Sequence, residues 1–376
     1  MLSFFVVGVA VVLALFSLLL HRRLAVAPEW PAAVRRVIAT GLGLTGLATM
    51  VAFAMQAGLI DPHRARWAAW AGMTWLAVGW YLLLGVLALA VLGLLARLIG
   101  GRPARRRVLR VGTPLVVVAA LATTGYGLHE AAQPQITTAS FSSRQLPAQF
   151  EGLRVALISD LHVGPVREES FTRRVVNEVN AAHPDLVVLA GDLIDGRVEQ
   201  VGDATDPLRD LRAPLGVVAV SGNHEVISQE PDAWLDHYAS LGITVLRNSN
   251  IELTRGGATI AVAGSNDETA GGDDAPNIGT TLAGVDPDAF TLLVTHQPKA
   301  AESAGGRGVD LQVSGHTHGG QLWPFRYAVT LQQPTLDGLA LVGDVPVFTT
   351  RGAGAWGPPV RVLAPPEIPI ITLRRG

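Results

Sequence analysis

No cysteine occurs among the 376 residues. Disulfides, thiolate metal ligands and a cysteine nucleophile are thereby excluded, although nothing follows about compartment. Lysine is missing from residues 1–139, and acids nearly so: Glu29, Asp61 and Glu130 face twelve arginines, a net of +9. Residues 140–376 carry 17 basic and 28 acidic side chains, a net of −11, so the overall charge of −2 conceals two unlike parts. Such a split is a prior for two environments. The basic part is also the apolar part, which points to a membrane. The acidic part is a poor match for a nucleic-acid backbone, so no nucleic-acid partner is expected. Ionisable side chains are absent from the depths of the apolar runs, which leaves a proton relay or transport pathway without support.

Four apolar runs are present, at about 2–20, 37–56, 68–95 and 111–128. A bilayer core of ~30 Å needs ~20 apolar residues as a helix, and the first three runs meet that well. The fourth is diluted by Thr113, Pro114, Thr123 and Thr124. The first lacks a positively charged start, is long, and is followed by three more, so it is predicted to span rather than to be a cleavable leader. Arginines cluster after the first run (Arg22, Arg23, Arg35, Arg36) and after the third (Arg97, Arg102, Arg105, Arg106, Arg107, Arg110). Only Arg64 and Arg66 follow the second. Short arginine-rich loops stay cytoplasmic, which predicts an integral protein of the cytoplasmic membrane with the chain beyond about residue 130 outside. The expected division is an anchor at 1–130, a linker or first edge strand at 131–150, and a second domain at 151–376.

Beyond residue 150 short apolar runs alternate with helical stretches, which predicts an α/β layer fold. Five predicted strands each end in polar residues: Arg154–Ser159 before Asp160 and His162, Asp185–Ala190 before Asp192 and Asp195, Gly216–Val220 before Asn223 and His224, Phe290–Val294 before His296, and Val309–Val313 before His316 and His318. Phe171, Val175 and Val179 mark one helix face between the first two strands, and a further helix is expected over Asp232–Leu241, begun by Pro231 and stopped by Gly242. Open α/β sheets bind ligands beyond the C-terminal ends of their strands. Carboxylate, carboxamide and imidazole donors suit hard or borderline divalent cations, and the eight groups left when Asp195 is set aside already exceed what one ion needs. Any one junction is weak, since a lone Asp there is often a helix cap. Five together point to a site for two ions.

The order Asp160-x-His162, Gly191-Asp-x-x-Asp195, Gly222-Asn-His-Glu225, His296 and Gly315-His-Thr-His318 resembles the calcineurin-like metallophosphoesterases over about residues 150–376. The runs Gly315–Pro324 and Arg351–Pro358 resemble a membrane-associated bacterial branch. The resemblance implies a two-sheet α-β-β-α sandwich behind an all-α region of about four helices. It implies that Asp160, His162, Asp192 and His318 hold one metal, and that Asp192, Asn223, His296 and His316 hold a second. The cations would be Mn, Fe or Zn, with a hydroxide bridging them as nucleophile. His224 would be a general acid or phosphate contact, oriented by Asp195. The family's longer block continues with Arg and Gly after the second Asp; here Gly196 and then Arg197 follow, which argues against a phosphoprotein substrate. A phosphodiester, monoester or pyrophosphate that is lipid-linked or part of the envelope is the expected substrate. The alternative is a transporter or sensor with a weakly active or inactive domain of this type. Three readings stay open: Asp267 as rim residue or plain turn, Trp323, Phe325 and Trp356 as a wall beside the site or as core, and Arg351 as phosphate contact or structural ion pair. His129, His183 and His237 read as surface residues.

Overall fold

In the computed structural model, which describes residues 2–376, the apolar runs of the first third become long helices: α1 at Leu2–His21, α2 at Ala32–Gln56 and α3 at Pro62–Ala131. All three are long and apolar enough to cross a membrane. α2 and α3 extend past their apolar runs into flanking residues that include arginines, whose aliphatic stems can lie along apolar surface while the charge reaches water. Within α3 the helical dihedrals break at Gly100 and Gly101, where Gly101 has φ of +69°. A left-handed residue reverses the chain there at little cost because glycine has no Cβ. The two halves lie side by side, with Gly93 facing Leu109, Leu89 facing Gly112 and Gly85 facing Val116. The third and fourth predicted spans are thus a helical hairpin. Leu20, Leu42, Val78, Leu82, Val86 and Ala120 form the core of this unit. At one end Arg106 pairs with Glu29 at 3.0 Å, and Arg110 donates to the carbonyls of Pro28 and Glu29 at 3.0 and 2.9 Å. The two arginine-rich segments therefore meet. Residues 357–362 belong to this unit, and residues 130–356 and 363–376 form the other.

The second unit has twelve strands: β1 Gln135–Ser143, β2 Arg154–Ile158, β3 Leu186–Ala190, β4 Val217–Val220, β5 Thr244–Val245, β6 Ser249–Arg255, β7 Ala258–Gly264, β8 Thr291–Val294, β9 Leu311–Ser314, β10 Gly338–Val342, β11 Val345–Thr349 and β12 Glu367–Arg375. They form two six-stranded sheets, in the orders β1-β12-β2-β3-β4-β5 and β10-β11-β9-β8-β7-β6. β2 to β5 run parallel in the first sheet, and β7, β8, β9 and β11 in the second. The period-two alternation of a strand explains the layers. Val155 and Leu157 of β2 join Leu186, Val188, Ile260, Val262, Leu292 and Val294 between the sheets. Ala156 and Ile158 face outward, under Phe171, Val175 and Val179 of α4 (Glu169–Ala181) and Trp234 and Tyr238 beyond it. The other sheet is covered outside by a smaller cluster with Ile278, Ala301 and Ala304. The result is the expected helix-sheet-sheet-helix sandwich.

Of the two readings of residues 131–150, the edge strand describes the central part, Gln135–Ser143. Residues 131–150 are not merely a linker, because β1 pairs in parallel with β12 over nine residues, Gln135 with Glu367 through Ser143 with Arg375. Its side chains are exposed or half exposed, as on an edge strand, with Ala139 and Phe141 packed against the core between the sheets, and its partner lies more than 230 residues away.

Candidate metal centre

The parallel strands bring all five junctions to one edge. β2 is followed by Asp160 and His162, β3 by Asp192 and Asp195, β4 by α5 (Asn223–Ile227) with Asn223 and His224, β8 by His296, and β9 by His316 and His318. Five of these residues are left-handed despite carrying side chains: φ is 58° at Asp160, 49° at His162, 53° at Asp192, 71° at His316 and 52° at His318. Each such residue costs on the order of 1–3 kcal/mol and persists only where its surroundings over-determine it. Here the loops clamp one another through the backbone. Asp160 N–H donates to Gly191 O at 3.1 Å, His162 N–H to Asp192 O at 3.2 Å, and Asp195 N–H to Val163 O at 2.7 Å. Gly222 is required by close approach, since a Cβ there would collide with the Asp192 side chain and backbone nitrogen.

Two donor sets result. In the first, His162 Nε2 lies 3.2 Å from His318 Nε2, 3.9 Å from Asp160 Oδ1 and 3.8 Å from Asp192 Oδ2, and His318 Nε2 is 3.3 Å from Asp160 Oδ1. In the second, His296 Nε2 lies 3.1 Å from Asp192 Oδ2 and 3.2 Å from both Asn223 Oδ1 and His316 Nδ1, which is 2.8 Å from Asn223 Oδ1. Asp192 Oδ2 belongs to both sets. His296 Nδ1 is turned to Ala190 O at 2.8 Å, which leaves Nε2 for the cluster. Asp195 Oδ1 does the same for His162, 3.0 Å from its Nδ1. The inward-facing atoms are overwhelmingly acceptors, packed closer than acceptors tolerate unless positive charge lies among them.

The electrostatics give the same answer. Burial disfavours charge on Asp192, but His296, His224 and His162 outweigh it and hold the carboxyl well below the usual range. Burial likewise opposes charge on His296, yet Asp192 pushes the imidazole well up. His316 is pushed down to about 4, first by burial and then by His296, and so presents a neutral ring. In protein alone, protons would supply the charge the cluster needs; divalent cations would displace them, as metal binding at imidazole and carboxylate does. The donor set thus fits metal.

His224 borders the first set, its ring within reach of His162 and Asp192. Its backbone N–H donates to Asp192 Oδ1 at 2.8 Å, and its Nδ1 lies 2.6 Å from Asp195 Oδ1. Nε2 points back toward the cluster, 3.9 Å from Asp192 Oδ2. Burial works against its charged form, but Asp192 and Asp195 prevail and hold the imidazolium up to about 9. Asp195, held well below the carboxylate range against burial by His162 and His224, serves both rings, where only His224 was expected.

Other residues were missed or left open. Glu225 is fully buried and accepts from the N–H groups of Gly222 at 2.7 Å, Asp192 at 3.0 Å and Leu193 at 2.9 Å, and from the Tyr238 hydroxyl at 2.9 Å. It ties the β3 and β4 junctions together; its position directly after His224 was the only signal. Arg167, which carried no signal, is buried over the Phe171 ring and donates to Ala355 O at 2.7 Å. Burial pushes its guanidinium down to about 10, with Asp195 pulling the other way. The next residue, Trp356, is half exposed, its ring 6.0 Å from that of His224, and its backbone N–H and C=O are both bonded to the Gln321 amide. Trp356 therefore stands as a wall beside the site, and Trp323 and Phe325 are exposed rather than core. Arg351 makes the structural ion pair, 2.6 Å from Glu367. Asp267 is buried in its turn, accepting from Thr269 and from Gln297. His237 is half-buried and bonded to Thr205, not a plain surface residue.

A two-sheet sandwich with five such junctions on one edge defines a metallophosphoesterase domain, and the calcineurin-like phosphoesterase family profile matches residues 153–320. The chain belongs to the calcineurin-like metallophosphoesterase family. It is 35% identical over 273 residues to a transmembrane protein with metallophosphoesterase domain from Danio rerio, covering 70% of this chain and 62% of that one. An uncharacterized metallophosphoesterase of Helicobacter pylori is 35% identical over 67% of this chain and 68% of its own length. The uncharacterized metallophosphoesterase YkuE of Bacillus subtilis is 31% identical over 66% of this chain and 90% of its own. The chain spans less than two thirds of the Danio rerio and Bos taurus relatives it matches, at 62% and 64%.

Proposed function

We propose that the protein hydrolyses phosphoester bonds at a dinuclear centre, with Asp160, His162, Asp192 and His318 holding one divalent cation and Asp192, Asn223, His296 and His316 the other. The observation that carries this is the sharing of Asp192 Oδ2 between two convergent donor sets, with His224 poised beside both. Bound there, Mn, Fe or Zn would neutralise the phosphoester oxygens and make a water acidic enough to act as nucleophile near neutral pH. The protein's own part is orientation and proton supply. Asp195 fixes the His224 ring through Nδ1 and favours its charged form, so that Nε2–H can be donated to the leaving oxygen. The cross-loop backbone bonds and Glu225 keep the donors from relaxing apart as charge develops.

The substrate in this reading is lipid-linked or an envelope component. Membrane-capable helices on the same chain support it, because a tethered site meets membrane-borne substrate at high effective concentration. The half-exposed Trp356 beside His224 offers an apolar surface to an organic leaving group. In the same reading the catalytic unit lies outside the cytoplasmic membrane; the meeting of the two arginine-rich segments at one end of the helical unit supports that orientation. With no native cysteine, a Ser303→Cys variant gives one exposed labelling site. Labelling by a membrane-impermeant maleimide in intact cells is expected, and protection until lysis would reverse the orientation. The chemistry is tested with the full chain: bis(p-nitrophenyl) phosphate and lipid phosphoesters, assayed side by side, are expected to turn over with added Mn and to stop on chelation. No turnover with Mn, Fe or Zn would sink the assignment.

A further inference from the structure

Two cavities in the helical unit have no part in the metal centre, and both lie along the second half of α3. The first, of about 520 Å³, is lined by Arg102, Arg106, Arg107, Arg110 and a single acid, Glu29. Glu29 is already paired with Arg106, and Arg110 is bonded to the carbonyls of Pro28 and Glu29. Arg102 and Arg107 have no anionic partner among the described residues. The second cavity, of about 510 Å³, is lined by apolar groups that include Trp30, Leu42, Trp75, Pro114 and Val118. A helix repeats every 3.6 residues, so Arg107, Val111, Pro114 and Val118 share one face. Along that face the wall changes from guanidinium to hydrocarbon. Arg110 of the basic cavity sits 5.5 Å over the ring of Trp30, which lines the apolar one. The polar side chains in that wall are turned to backbone carbonyls, Thr45 Oγ1 to those of Gly41 and Leu42 and Trp30 Nε1 to that of Leu24.

We infer that these cavities form one site for an anionic phospholipid. The phosphate diester lies among the arginines, with Arg102 and Arg107 as its free cations, since guanidinium forks match phosphate oxygens. An acyl chain fills the apolar cavity. Charge complementarity selects the anionic class, because a zwitterionic headgroup would bring its own cation against four arginines. The site is independent of the reading of the metal centre.

The test uses the full chain, purified in detergent and stripped of lipid. Thermal unfolding and native mass spectrometry would be run with phosphatidylglycerol, phosphatidylcholine or inorganic phosphate alone. Phosphatidylglycerol is expected to stabilise and remain bound, and phosphatidylcholine not. Arg102→Gln with Arg107→Gln should weaken phosphatidylglycerol by about thirtyfold, at roughly fivefold per arginine near a membrane surface. Both side chains are exposed, so the fold should tolerate the change. Gly41→Leu projects into the apolar cavity from a position where a Cβ meets nothing within 4 Å, and should weaken lipid while sparing phosphate. Stabilisation by inorganic phosphate equal to that by phosphatidylglycerol, indifferent to Gly41→Leu, would replace the lipid with a free anion and overturn the assignment. Equal retention of both lipids, unchanged in the arginine variant, would reduce the cluster to a topology signal and overturn it altogether.

Discussion

Replacing Glu225 by Gln tests whether the centre is held by a buried carboxylate that touches no metal. Glu225 accepts four hydrogen bonds, from three backbone N–H groups and the Tyr238 hydroxyl. Gln keeps the shape but turns one acceptor oxygen into a donor. If the amide nitrogen takes the Oε1 position, Tyr238 can rotate its proton away and accept, but Leu193 N–H loses its partner. If it takes the Oε2 position, Gly222 and Asp192 both lose theirs. The first arrangement is the cheaper, and leaves one buried donor unmade at about 1–3 kcal/mol. The remaining bonds also lose their charge assistance, roughly half their strength. The freed N–H of Leu193 adjoins Asp192, so the cost falls on the carboxylate proposed to hold both ions. Loss of supporting hydrogen bonds around metal ligands typically weakens the metal about 10–100-fold. Competition of the purified chain against a chelator of known Mn affinity would measure this, with thermal unfolding of the metal-free protein alongside. A variant with unchanged Mn affinity and unchanged unfolding temperature would refute the view that Glu225 holds the β3 and β4 junctions.

Asp192→Ala should lose both ions, whereas His224→Ala should retain them and lose turnover, by about 10²–10⁴-fold if its role is proton donation; metal analysis giving the reverse pattern would exchange the roles. His224 acts as its charged form, present below its pKa and lost as pH rises through it. A cation on Asp192 removes that carboxylate's share of the shift, so the alkaline limb of kcat should fall between the ordinary value of 6.5 and about 9. Asp195→Asn removes the other negative charge and should move the limb to lower pH; a limb that stays in place would dissociate Asp195 from the acid. Gly222→Ala forces a methyl against Asp192, and overpacking of this kind costs about 1–3 kcal/mol. It should deplete bound metal while the circular dichroism of the fold is retained, and full metal occupancy would show that the loop yields.

How far the sequence carried the site depends on where each part's information lies. The donors were legible because each strand is a short apolar run cut off by a ligand residue. β2, β3, β4, β8 and β9 begin and end within about two residues of where those runs predict, the usual boundary error. What the donors do to one another was not legible. Nothing local tells that Asp195 is shared by two rings 62 positions apart in the chain, or that Ala190 O fixes the tautomer of His296. Glu225 stood inside a recognised run of residues and still had no role, because its partners are mostly backbone groups, and every residue has those.

The fold failed to show itself where pairing is non-local or where the pattern is weak. β1 is mostly polar and lies at an edge, so its sequence left linker and edge strand both open, and its partner β12 contains Pro369. β12 is held from both sides, by β1 and by β2, whereas β1 is a strand through its pairing with β12. In the membrane-capable third, the turn between the last two helices fell inside an arginine-rich segment, where loss of apolar character reads as loop. The chain is helical there except at Gly100 and Gly101, because a helix continues into water as long as its backbone bonds are made and its arginines are solvated. Composition had separated the chain into a basic apolar part and an acidic one. The structure gives that division a physical basis: arginines gathered at one end of a helical unit, and carboxylates gathered in part around an imidazole cluster that needs positive charge. A net charge of −11 over residues 140–376 is, at that edge, the electrostatic condition for drawing divalent cations in.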